Sequence, residues 1–282
     1  MKKYAVLSMD VEDWYHLEYF KNKQTDKHIS MLDGFTNYIN LLNRYEIQTT
    51  FFILSELVGT LKEQILFASN TGHEIACHGK VHTRPLDMGV MEFEKSIHEA
   101  KDDLSKLINK SIIGYRAPCY CIDNERYEAV KRVGFRYSSS LISIGWHPLY
   151  GKIDLSDFSK IKHNIYRNDK FYEFELPIIK LLHKEIAISG GGWVRLFPWS
   201  VFMKPLIKNY LEKADIYILY IHPFELSNVQ MPQVLETTFT TNIRARKGLH
   251  KVAYKIEQLI ELLIENRFTI TSFANIVSEL EG

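Results

Sequence analysis

The chain has 282 residues, a net charge of +1 and 24% charged residues, and this balance argues against a nucleic-acid-binding surface, which needs a basic excess. Its length and its 46% hydrophobic content allow one large α/β barrel or two ordinary domains. No apolar run approaches the roughly 18 residues of a membrane helix.

The first half of the chain alternates short apolar strands with amphipathic helices. Strands are predicted at about 4–9, 49–53, 74–77, 112–115 and 135–138. Helices are predicted at about 33–45, from an N-cap at Ser55 to about 70, at 91–108 and at 123–133.

The second half begins with a polar stretch at about 141–168 that is predicted to be irregular. Strands are then predicted at 173–177, 216–221 and 268–270, and helices at 199–213, at 250–265 and from Ser272 onwards. Alternating strands and helices are typical of a parallel sheet with right-handed crossovers. We therefore predict an α/β fold, a distorted (β/α) barrel of seven or eight parallel strands, formed by one domain over 1–282.

Two histidines, His78 and His82, follow the third predicted strand. They share a face if the segment turns helically, and two imidazoles on one face can hold a divalent metal ion. A solvated pair is common in a chain with 11 histidines, so the pair alone does not establish a metal site.

Polar clusters also follow three other predicted strands: Asp10-Val11-Glu12-Asp13, Arg116-Ala117-Pro118 and His222-Pro223-Phe224-Glu225. In a barrel, the carboxyl ends of the strands meet on one face, where active sites lie. Solvated charges have no reason to follow strand ends, so we predict that the four clusters form one site.

These motifs give the chain a family resemblance. It resembles the polysaccharide deacetylases with NodB homology, which are metal-dependent carbohydrate esterases. The matching segments are Gly72-His73-Glu74-Ile75 before the histidine pair, Arg116-Ala117-Pro118, Gly190-Gly191-Gly192-Trp193-Val194-Arg195, and His222 at the end of an apolar strand. Val11 stands where the family usually has the second of two adjacent aspartates. In this the chain resembles a subgroup with an Asp-Val-Glu start, found in exopolysaccharide loci.

The resemblance implies a metal site with His78, His82 and Glu12 as ligands. Asp13 is the alternative carboxylate, because the sequence does not say which of the two turns inward. The ion would be Zn²⁺ or another divalent metal such as Co²⁺, Ni²⁺ or Mn²⁺.

The resemblance also implies catalytic roles. Asp10 would be the general base for a metal-bound water, Arg116 would pair with Asp10, and His222 would be the general acid. Glu175 is expected to be the carboxylate partner of His222. A backbone N–H at Cys119 or Tyr120 would stabilise the oxyanion.

Substrate contacts are expected from Trp193, Arg195, Cys119 and Tyr120; Trp14, Trp146 and His147 are further candidates. Cys119 occupies a position that is often aromatic in the family. The implied substrate is an N-acetylated sugar of a polysaccharide or of a nucleotide-linked or lipid-linked precursor. The alternatives are a hydrolase of another C–N bond, such as a ring amide like that of allantoin, and a glycan-binding relative without turnover.

A cytoplasmic location is predicted. The three cysteines, Cys77, Cys119 and Cys121, do not form an even disulfide framework. The chain starts with Met1-Lys2-Lys3, but acidic residues from Asp10 onwards interrupt the apolar run that a signal peptide would need.

Overall fold

The computed structural model describes residues 2–145, 147, 149–181 and 184–282. Its centre is a curled, ten-stranded mixed sheet packed against helices. Within the described residues, eight strands of this sheet pair with one another in parallel, and two further strands are added at one edge through antiparallel ladders. The predicted α/β barrel of seven or eight parallel strands is therefore confirmed.

The strands, in chain order, are β1 (Lys3–Val11), β2 (Thr50–Ile53), β3 (Glu74–Cys77), β4 (Gly114–Tyr115), β5 (Tyr137–Ser138), β6 (Ser159–Lys162), β7 (Ile165–Asn168), β8 (Phe171–Phe174), β9 (Ile178–Leu181), β10 (Lys184–Ala187), β11 (Ile216–Ile221) and β12 (Phe268–Ile270). The helices are α1 (Asp33–Arg44), α2 (Lys62–Asn70), α3 (Val90–Ile108), α4 (Asn124–Arg132), α5 (Gly191–Leu196), α6 (Lys204–Lys213), α7 (Phe239–Arg246), α8 (Val252–Glu265) and α9 (Phe273–Glu281). The order across the sheet is β11-β1-β2-β3-β4-β5-β8-β7-β6, with β12 beside β1.

Strand β1 is the centre of the sheet. It pairs in parallel with β11, with β12 at its start and with β2 at its end. Every residue from Tyr4 to Val11 is buried, as expected for a parallel strand covered on both faces. Helix α1 packs through a stripe of helical spacing, in which Phe35, Tyr38 and Leu42 are buried.

The barrel is open on one side. Within the described residues, β8 and β11 share no ladder, and on that side only Gly190 bridges to Tyr220 of β11. The loop that follows Gly190 therefore lies directly beside the end of β11.

Several predicted boundaries are wrong. The stretch predicted to be irregular contains the β6–β7 hairpin, whose strands are partly exposed at the sheet edge and so lack a clear alternation of apolar residues. Ser55 begins a 3₁₀ turn at Ser55–Leu57, and the α-helix starts only at Lys62. Helices α5 and α7 were not predicted, because α5 begins on glycines and α7 buries only Ala245.

Strands from both halves of the chain share the main sheet. That one domain spans 1–282 stays a prediction. In the part of the chain that the structure describes, no helix combines the length and the apolar character needed to cross a bilayer.

His73, just before β3, is expected to make the stability of the fold depend on pH. Its side chain is buried, and its Nδ1 accepts a hydrogen bond of 3.2 Å from the Thr49 backbone N–H. Burial lowers the pKa of His73 to about 4. The unfolded chain therefore takes up this proton first, so stability should fall as the pH drops from about 6.5 towards 4.

We expect His73→Asn to remove about 2 kcal/mol of the stability loss between pH 8 and pH 5, measured by urea unfolding at both pH values. His98→Asn is the control, because the His98 side chain is 62% exposed. An unchanged pH dependence in His73→Asn would contradict the assignment.

Candidate active site

The four polar clusters meet at one edge of the sheet. Asp10 lies at the end of β1, His78 directly follows β3, Arg116 directly follows β4, and His222 directly follows β11. These strands are parallel, so their carboxyl ends lie at the same edge. The structure thus brings together all six residues predicted as catalytic or metal-binding, through contacts described below.

The end of β1 separates the acidic side chains. Glu12 faces the histidines, with its Oε2 2.7 Å from Nε2 of His82. Asp13 instead accepts hydrogen bonds at Oδ1 from the backbone N–H groups of Trp14 (2.8 Å) and Met31 (2.9 Å). Glu12 is therefore the carboxylate that lies beside the two histidines, and Asp13 holds the following loop.

The histidine pair does not lie on a helical turn. Residues 78–82 form an irregular loop in which Gly79 has a φ of +107°, a conformation that favours glycine. The two imidazole rings still lie 5.6 Å apart. Ligand atoms of Glu12, His78 and His82 all lie within 4.8 Å of one another.

This cluster fits a divalent metal ion. Two histidines and one carboxylate are the donors of many catalytic zinc sites. His78 Nδ1 lies 2.9 Å from the Arg116 carbonyl oxygen, so it carries the proton and its Nε2 is left for a ligand bond. Glu12 Oε2 is buried without a hydrogen bond although His82 is close, which is typical of donors that point at a shared ion.

The charge states of Glu12 and His78 also suit metal binding. Burial would raise the pKa of Glu12, but the nearby charges of His82, His222 and His78 lower it to about 2. Burial lowers the pKa of His78 to about 4. At neutral pH the carboxylate is therefore ionised and His78 is neutral, the forms that coordinate metals.

Asp10 is held by a buried arginine. Arg116 Nη1 donates to Asp10 Oδ1 at 2.7 Å, and both side chains are almost completely buried. The Tyr120 hydroxyl lies 3.5 Å from the other carboxylate oxygen, Oδ2. Asp10 is thus fixed through one oxygen, while the second faces the site.

His222 lies between two carboxylates. Its Nε2 is 3.4 Å from Glu12 Oε1, and its Nδ1 is 3.4 Å from Glu225 Oε2. Burial would lower the pKa of His222, but the Glu225 and Glu12 carboxylates raise it to about 9. The protonated imidazole is therefore favoured at neutral pH.

The expectation that Glu175 pairs with His222 is wrong. Glu175 accepts hydrogen bonds from Tyr166 and Ser143, while Glu225 lies beside the imidazole. The signal for Glu225 was available, because it follows His222 by three residues and a turn brings such residues together. The 3₁₀ turn Pro223–Glu225 does this here.

Arg195 and Trp193 of α5 both line a cavity of about 590 Å³ that also contains His222. Trp193 stacks on Phe197 with ring centroids 5.5 Å apart. Arg195 is 4% exposed and donates from Nε to Glu225 Oε1 at 2.8 Å and from its other nitrogens to the carbonyls of Arg244 and Lys247. Each of its three nitrogens thus donates to a protein acceptor.

Cys119 and Tyr120 form an unusual turn. Both have positive φ values, 56° and 55°, which cost roughly 1–2 kcal/mol each in residues other than glycine. The Tyr120 N–H already donates to the Ala117 carbonyl at 2.9 Å, so the Cys119 N–H is the remaining candidate for an oxyanion.

The further groove candidates have different positions. His147 lines the cavity, and Trp14 is fully buried in a separate apolar cluster. Trp146 lies outside the described residues.

Two family models match consecutive parts of the chain. Residues 29–138 match "Polysaccharide deacetylase", and residues 139–277 match "Domain of unknown function (DUF3473)". A peptidoglycan deacetylase of Helicobacter pylori is 25% identical over 81% of this chain and 76% of its own length.

Solved structures share the fold. A Mycobacterium smegmatis structure assigned to the polysaccharide deacetylases has a TM-score of 0.64 at 16% identity, covering 99% of this chain and 91% of that one. A CE4 family pseudoenzyme from Bacillus anthracis has a TM-score of 0.53 at 11% identity, covering 98% of this chain and 66% of that one.

The two carboxylates after Val11 provide a matched test. We expect Glu12→Gln to weaken Zn²⁺ binding by more than about 100-fold, because it removes a charged ligand. Asp13→Asn should leave the affinity unchanged, since an amide oxygen can still accept from Trp14 and Met31. Isothermal titration with Zn²⁺ measures both, and equal losses in the two variants would contradict the ligand assignment.

Proposed function

The chain belongs to the polysaccharide deacetylase family, and from that premise we propose that it hydrolyses the N-acetyl group of a glycan sugar, releasing acetate and a free amine. The observation that carries this proposal is the convergence of Asp10 and His222 on the Glu12, His78 and His82 cluster. A carboxylate and a protonated imidazole on either side of a metal-binding cluster supply both proton transfers that amide hydrolysis needs.

Glu12, His78 and His82 would hold the divalent ion. Bound there, the ion would polarise the acetyl carbonyl and lower the pKa of water to about 7. The Cys119 N–H is the protein donor proposed for the developing oxyanion.

Asp10 acts as the base. The water oxygen forms a bond to the carbonyl carbon while Asp10 takes the water proton at Oδ2, the oxygen that Arg116 does not hold. The Arg116 guanidinium fixes the carboxylate in direction, so little reorganisation accompanies the transfer.

His222 acts as the acid. As the C–N bond breaks, the imidazole gives its proton to the sugar nitrogen, which leaves as an amine. Glu225 supports this role because it holds the imidazole from the Nδ1 side, and Arg195 and the His222 backbone N–H hold Glu225 in turn.

A glycan is the proposed substrate class because the Helicobacter relative is a peptidoglycan deacetylase. A cytoplasmic precursor sugar, nucleotide-linked or lipid-linked, stays a proposal that cell fractionation tests. Acetate release from N-acetylated glycans, measured beside ring-amide hydrolysis, separates the deacetylase from the other C–N hydrolases of this class.

We expect Asp10→Asn to lower kcat for acetate release by about 10²- to 10⁴-fold, because the amide cannot take the proton. The metal content of the purified variant, measured by mass spectrometry, should equal that of the wild type. Acetate release at the wild-type rate would rule out Asp10 as the base. Absence of acetate release from wild-type, metal-loaded protein would rule out the deacetylase itself.

Two adjacent glycines test the support of His222. A Cβ at Gly191 would lie 2.1 Å from Glu225 Oε2, whereas a Cβ at Gly192 meets no atom within 4 Å. We expect Gly191→Ala to lower kcat for deacetylation roughly 100-fold by displacing Glu225, and Gly192→Ala to change it little.

Hydrolysis of 4-nitrophenyl acetate serves as the internal control, because its leaving group needs no proton. Gly191→Ala should retain most of that activity. Equal losses on the ester and the amide would show that the substitution damages the fold rather than proton donation.

A further inference from the structure

The cavity beside His222 contains a cation, Arg244, whose guanidinium has no hydrogen-bond or ion-pair partner among the described residues. Its charged lining residues are His147, His222, Glu225, Arg195 and Arg244. Arg195 and Glu225 pair with each other, and Glu225 also contacts His222. None of the hydrogen bonds or ion pairs among the described residues uses the Arg244 guanidinium.

Arg244 is held in place through its backbone. Arg195 donates to the carbonyl oxygens of Arg244 and, at 2.8 Å, of Lys247. These hydrogen bonds satisfy carbonyl groups at the end of α7 that have no partner within the helix. The guanidinium of Arg195 also donates to Glu225. Arg244 therefore lies near the end of a helix that is hydrogen-bonded to Arg195, the residue that also holds Glu225 beside His222.

The charge balance of the cavity favours an anion. Glu225 is the only acidic residue among the described lining residues, and Arg195 neutralises it. Arg244 thus adds an uncompensated positive charge. Burial, and after it the positive charge of Arg244, lowers the pKa of His147, which also lines the cavity.

The cavity has the size and surface of a sugar site. Its volume of about 590 Å³ lies within the range of small-ligand pockets. Aromatic rings of Trp193, Phe197 and Tyr220 line it. His222 and Arg244 both line this cavity, so a glycan unit that fills it while its acetamide reacts at His222 would meet Arg244 as well.

We propose that Arg244 is a specificity-determining residue that binds an anionic substituent, a carboxylate or a phosphate, on the glycan being deacetylated. A planar guanidinium matches both groups with two parallel hydrogen bonds. This inference rests on the proposed function, since it assumes that the cavity holds the sugar substrate.

Binding is measured by isothermal titration in an Asp10→Asn background, so that no sugar is consumed. The probes are a neutral chitotetraose, a hyaluronan tetrasaccharide carrying carboxylates, and N-acetylglucosamine 1-phosphate. Arg244→Gln should weaken binding of at least one anionic probe by roughly 10- to 100-fold and leave the neutral probe unchanged. The anionic probe that responds identifies the carboxylate or the phosphate as the group recognised.

Lys247→Gln is the control, because it removes an exposed cation next to Arg244 that does not line the cavity. It should change none of the affinities. Equal affinity of the unsubstituted background for neutral and anionic probes, no measurable binding of either anionic probe, or equal losses in the two variants would overturn the proposal.

Kinetics with otherwise native protein separate this inference from the proposed function. Arg244→Gln should raise KM for the anionic substrate with little change in kcat. If no substrate releases acetate, the deacetylase proposal fails, while the titration still decides whether Arg244 recognises an anion.

Discussion

The buried guanidinium of Arg116 is the constraint on which the site depends. Removing this charge from water costs several kcal/mol unless acceptors surround it. Asp10 and Ser8 from β1 and Ser139 after β5 supply those acceptors, and the Phe52 ring of β2 lies 4.0 Å from the guanidinium carbon. The Arg116 carbonyl also fixes the tautomer of His78. One residue therefore joins the ends of strands across the sheet and orients both the proposed base and a proposed metal ligand.

Much of the fold was predictable because its parallel strands are buried on both faces. Strands such as β1 and β11 appear as continuous apolar runs, and the polar residues that end them mark the edge of the site. The β6–β7 hairpin was not predictable in this way. Its exposed edge strands are determined by pairing with β8, a long-range contact that leaves no local pattern.

The identities of the candidate site residues came from motifs, whereas their partners came only from geometry. Glu12 and Asp13 lie beyond the end of β1, so strand alternation does not decide between the two carboxylates, and only the hydrogen bonds of Asp13 to Trp14 and Met31 do. Glu225 was visible in the sequence three residues after His222. The hydrogen bonds of Arg195 were not visible in the sequence, because their acceptors are carbonyl groups at the end of a helix about 50 residues away.

The contacts of Arg195 influence which positions of the protein can change during evolution. Its guanidinium holds Glu225 with one nitrogen and the end of α7 with the other two. A mutation at this position would disturb both Glu225 beside His222 and the cavity wall, so two separate contacts limit which substitutions are tolerated there. Positions of α7 that Arg195 contacts only through their backbone are free of that double constraint. New glycan preferences can therefore evolve by exchanging side chains on α7 while the chemistry beside it is preserved.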